Sequence, residues 1–118
     1  VTINLEQAKR LWELGVRKLP EDMYSRQAGS DKFTLGLDGS FCVIVEQYPA
    51  YSVEELIAMM QGDYEIRMNT NKTVDITVWY ERYKGYDYFK GNTLTEVLCN
   101  KLIYDIENGI ITVEEINK

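Results

Sequence analysis

The chain has no histidine. That absence removes the commonest general base, the commonest metal ligand and every Ser–His or Cys–His nucleophile pair. Cysteine is scarce: Cys42 and Cys99 are the only two among 118 residues, too few for a secreted disulfide framework. With no C-x-x-C spacing and no adjacent basic residue, they read as reduced, buried thiols. There are only two prolines, and no Pro/Ser-rich linker, internal repeat or low-complexity segment divides the sequence, so residues 1–118 are expected to form a single domain. No apolar run exceeds five residues, Phe41 to Val45 being one, which argues against a membrane-spanning helix and a secretory leader. A cytoplasmic protein is the expectation.

Positive charge is also missing from one stretch. Residues 33–66 hold six acids (Asp38, Glu46, Glu54, Glu55, Asp63 and Glu65) and no lysine or arginine, within a chain of net charge −6. Nucleic-acid binding needs clustered Lys and Arg to displace counterions from phosphates, and no such cluster exists. The sequence therefore argues against a direct DNA or RNA partner. An acidic face suits a basic protein surface instead, with Glu54, Glu55 and Asp63 as its candidate residues. Solvated carboxylates that only keep the protein soluble are the alternative reading.

The motifs of metal and phosphate chemistry are absent as well. There is no D-x-D-x-D-G loop, no H-E-x-x-H and no G-x-x-x-x-G-K-[ST]. Glu54-Glu55 and Glu114-Glu115 are adjacent pairs, and neighbours on a helix diverge by about 100° rather than converge on an ion. No cofactor and no metal site is implied, and the reading is non-enzymatic. A small acid–base enzyme would need a perturbed Lys, Tyr or carboxylate in a pocket that no local motif announces.

What is present first defines three helices. Asn4 with Gln7, Ser52 with Glu55, and Thr93 with Glu96 form N-terminal caps, while Gly15, Gly62 and Gly109 supply stops. The third helix carries the stripe Leu94, Val97, Leu98, Leu102, Ile103 and Ile106. Strands are expected at 32–37 and 41–47 around an Asp38-Gly39 turn, then at 64–69, 73–82 and 86–91. The expected order is αββαβββα, an α+β fold with an antiparallel sheet packed by three helices, of α/β/α-sandwich type. Residues 18–31 read as a surface loop, and the tail 110–118, with Ile110, Ile111 and Val113, as a short edge strand or a docked turn.

Register follows from phase. A three-residue loop at 70–72 sets Met68 against Val74, Ile66 against Ile76, Tyr64 against Val78 and Arg67 against Asp75. A two-residue turn at 84–85 sets Tyr80 against Phe89 and Lys90 against Trp79. Val74, Ile76, Val78, Tyr80 and Phe89 then face the core, and Trp79, Tyr83, Tyr86, Tyr88 and Lys90 share the polar face. Tyr and Trp are enriched at binding hot spots, and Lys90 would lie within cation–π reach of Trp79. These five are the candidate binding residues, unless the first helix covers them or they serve only as cross-strand pairs. Together with Arg67 or Arg82 they could alternatively hold a nucleotide-like ligand. Phe41 to Val45 is apolar on both strand faces and wants cover from helices on both sides or from a second copy, making a homodimer the alternative.

Three passages carry a resemblance. Tyr48-Pro49-Ala50-Tyr51-Ser52-Val53-Glu54-Glu55-Leu56 resembles the P-A-[YP]-[ST]-x-x-[EQ]-L opening of the middle helix in small uncharacterised phage and prophage proteins. Asn92 to Leu98, running on through Leu102-Ile103 to Glu107-Asn108-Gly109, resembles their T-L-x-E-A-L closing helix, with Val97 in place of alanine. Leu5 to Gly15 resembles their opening L-E-Q-A-K-x-L-x-E-L-G helix. The resemblance implies a mobile-element protein, an αβ sandwich and a bacterial cytoplasm, where an accessory or anti-defence protein would occupy a host protein. It implies no catalytic residue.

Overall fold

The computed structural model describes residues 2–36, 43–60, 63–81 and 84–118. Their order is α1 (Leu5–Leu14), β1 (Asp22–Gln27), β2 (Phe33–Leu35), β3 (Ile44–Ala50), α2 (Val53–Met59), β4 (Asp63–Met68), β5 (Val74–Tyr80), β6 (Gly85–Gly91), α3 (Leu94–Glu107) and α4 (Val113–Ile116). The α+β class holds, as four helices with two three-stranded antiparallel sheets, ordered β2-β1-β3 and β4-β5-β6. The helices join the sheets. α3 packs on β5 and β6 and also against α1 and α2, while α1 packs on β3.

The expected caps form where side chains can reach the first turn. Asn4 and Gln7 make a reciprocal capping box, as do Ser52 and Glu55. At α3, Thr93 accepts from the Glu96 N–H, but the Glu96 carboxylate turns to the Asn92 N–H instead of closing the box. Gly15 takes the left-handed turn at φ 102° that ends α1, a conformation a β-carbon resists. α2 ends at Met60; the expected stop at Gly62 lies outside the described residues, as do the Asp38-Gly39 turn, Cys42, Arg82 and Tyr83.

The first sheet corrects the sequence reading. Part of the expected loop at 18–31 is β1, the central strand of that sheet, and both β2 and β3 pair with it rather than with each other. Its sequence, DMYSRQ, has no apolar alternation to announce a strand. Ladders on both sides and the Tyr24 hydroxyl, which donates to the Ile3 carbonyl at 2.6 Å, hold it in place. Among the described residues, the helical cover expected on both faces of Phe41 to Val45 is likewise not found: Val43, Ile44 and Val45 are exposed. The tail forms α4, with Ile111 and Ile116 buried, and Asn117 tied to the Arg17 N–H and the Gly15 carbonyl.

The second sheet follows the expected β4–β5 register at each of the four pairs named above. The β5–β6 pairing differs. Tyr80 opposes Gly85, Phe89 opposes Ile76, and Lys90 opposes Asp75 rather than Trp79. The displacement is an even number of residues, so every described side chain keeps its face. Val74, Ile76, Val78 and Tyr80 are buried against α3, whose Val97, Leu98 and Leu102 are fully buried. Each such side chain contributes about 1.5–3 kcal/mol on leaving water.

Candidate functional site

The solvent face of the second sheet is built from three cross-strand rows. Asp63, Trp79 and Tyr86 form the first, Glu65, Thr77 and Tyr88 the second, and Arg67, Asp75 and Lys90 the third. Successive rows are separated by two residues along each strand, about 7 Å. Alternation puts these side chains opposite the buried face, so helical packing on one side leaves the other open. Tyr86 and Tyr88 are 61% and 75% exposed, and α1 packs on β3 and α3 instead of covering them.

The first row, with Glu65 and Thr77 of the second and with Tyr64, lines a shallow depression of about 430 Å³. Trp79 and Tyr86 meet edge-to-face with ring centroids 4.7 Å apart. The indole is held further by its Nε1–H, which donates to Glu81 Oε2 at 3.0 Å, while Lys84 Nζ donates to Glu81 Oε1 at 2.8 Å. Those two donors, Lys84 first and Trp79 second, hold the Glu81 carboxyl below its ordinary pKa. The wall is thus two carboxylates, the Thr77 hydroxyl and three aromatic side chains, of which Trp79 and Tyr86 brace each other. Such a wall attracts a cation through charge and through the ring quadrupoles.

Several candidate residues come together here and others do not. Trp79, Tyr86 and Tyr88 share the face, with Lys90 exposed in the third row. Asp63, expected on an acidic surface, is exposed and stands opposite Trp79. Glu54 is exposed on α2, but Glu55 is committed to the backbone, accepting from the Ser52 N–H at 2.9 Å and the Glu21 N–H at 3.0 Å. Glu65, Thr77 and Glu81 were not singled out for binding. The signal was available, since setting Tyr64 against Val78 also sets Asp63 against Trp79 and Glu65 against Thr77.

Elsewhere, Glu46 accepts from Tyr48 Oη and from Arg26, and those bonds lower its pKa, Tyr48 contributing most. Cys99 is buried, and desolvation pushes its thiol up to about 12. Among the described residues no group of three or more His, Cys, Asp or Glu side chains is gathered to hold a metal ion, and no helix is long and apolar enough to cross a membrane. No protein-family model, no curated protein and no solved structure matches the chain.

Proposed function

We propose that this is a non-enzymatic protein-interaction module that captures a Lys- or Arg-bearing segment of a partner protein on the solvent face of β4-β5-β6. The observation that carries this reading is the row Asp63–Trp79–Tyr86, in which a carboxylate adjoins two mutually fixed aromatic rings. A cation seated on the indole gains about 0.5–2 kcal/mol, and the carboxylates add attraction and speed encounter. The resemblance to phage and prophage proteins supports an accessory, anti-defence setting, with a basic host protein in a bacterial cytoplasm as the partner. A nucleotide-like ligand is served less well. Arg67 and Lys90 flank Asp75, which offsets their charge, and a phosphate near the rings would face Asp63 and Glu65.

The test is a titration with tetra-arginine peptide, following Trp79 fluorescence in a Trp12→Phe background. Binding should weaken with salt, fall several-fold in Asp63→Asn, and vanish from a calorimetric titration in Trp79→Ala. Calorimetric binding unchanged by Trp79→Ala would remove this site. Loss in Glu54→Gln alone would move it to α2.

A further inference from the structure

β4 is an edge strand. Among the described residues it pairs with β5 alone, and Asp63, Glu65, Ile66, Arg67 and Met68 are all exposed along it. An edge strand directs every second N–H and C=O away from its one partner and so invites a further strand. Two features say what that strand looks like. First, Glu65 and Arg67 stand two residues apart on the solvent face, and neither makes an ion pair among the described residues. Second, Ile66 and Met68 lie on the inner face, opposite Ile76 and Val74, yet are 37% and 72% exposed. α3 packs on β5 and β6, leaving the inner side of β4 partly open.

We infer that β4 is the dimerisation edge of this protein, pairing antiparallel with β4 of a second copy about a two-fold axis at Ile66. In that register Ile66 meets the partner's Ile66, and Tyr64 meets the partner's Met68 on the inner face. On the solvent face Glu65 meets the partner's Arg67, and the symmetry repeats that pair. A one-residue slip would set inner-face side chains against solvent-face ones, and a two-residue slip would set Glu65 against Glu65 or Arg67 against Arg67, so faces and charges together select this register. The result is one six-stranded sheet, β6-β5-β4 continued by the partner's three strands in reverse order. The β3 edge is also apolar, but its Glu46 is already satisfied by Arg26 and Tyr48. The inference goes beyond the cation-binding reading and does not depend on it. The partner's Arg67 would occupy Glu65 at the rim, leaving Asp63, Trp79 and Tyr86 for an outside ligand.

Charge reversal tests it by sedimentation equilibrium. The native chain should self-associate to twice its mass. Glu65→Arg and Arg67→Glu should each weaken association about tenfold or more, since both symmetric pairs become repulsive. One variant then carries two cations on this edge and the other two carboxylates, so an equimolar mixture should recover the dimer. The double variant should recover it alone. Unchanged circular dichroism would show that the exposed substitutions leave the fold intact. A native chain monomeric at millimolar concentration, single reversals that dimerise as tightly as the native chain, or a mixture that stays monomeric each overturns the inference. Peptide binding by a monomeric native chain would leave the cation site standing without the dimer.

Discussion

Lys101 Nζ donates to Asp105 Oδ2 at 2.6 Å inside the core, where the two side chains are 0% and 4% exposed. The other carboxylate oxygen accepts from Tyr80 Oη at 2.5 Å, and the rings of Tyr64 and Tyr80 lie 5.5 and 5.9 Å from the ammonium. The pair links successive turns of α3 and ties that helix to the central strand of the second sheet. Burying two charges is costly, and what offsets it here is their contact together with the tyrosine hydrogen bond.

Removing one partner should therefore cost more than removing both. Asp105→Asn leaves the Lys101 charge uncompensated and should destabilise the fold by about 3–5 kcal/mol. Lys101→Met combined with Asp105→Leu should cost much less than the two single changes added together. Urea unfolding of the four proteins measures this. Additive losses would show that the two side chains are not coupled.

Acid should loosen Trp79 in a defined direction. Because the folded Glu81 carboxyl sits below its ordinary pKa, its bonds to Lys84 and Trp79 are present at neutral pH. Their contribution is fully present above the unfolded value of about 4.3 and is lost as the pH falls through the lowered folded value. In a Trp12→Phe background, Trp79 emission should change across that acidic window. Glu81→Gln should abolish the transition; an unaltered titration would assign it to another group.

Cys99 should report global unfolding. Its thiol, buried and raised to about 12, forms almost no thiolate at mild alkaline pH. In a Cys42→Ser background, alkylation of the native protein should be slow and should accelerate with urea in step with the loss of circular dichroism. Rapid native labelling would mean that α3 opens locally.

Much of this architecture was legible because its signals are local. The Asn4/Gln7 and Ser52/Glu55 boxes need only side chains that reach their own first turn. The β4–β5 register follows from a short loop and a two-residue period. The β5–β6 shift left both faces unchanged, so Trp79, Tyr86 and Tyr88 were placed on the right side before their partners were. β1 was not legible. Its stability comes from strands on both sides, and nothing in Asp22–Gln27 alternates to show it.

The amino-acid order by itself determined the N-terminal caps of α1, α2 and α3, the Gly15 stop of α1, the strands of the second sheet and which of their described side chains look inward, since capping and pleating act over a few residues. Only the tertiary structure decided that α3 is enclosed between a sheet and two other helices. That enclosure turns Lys101 and Asp105, an i,i+4 pair that would read as surface charge, into a buried contact. It also decided that Asp63 serves the aromatic row while Glu55 serves the backbone. Those outcomes depend on what packs against each side chain from distant parts of the chain, and no short window of sequence contains that information.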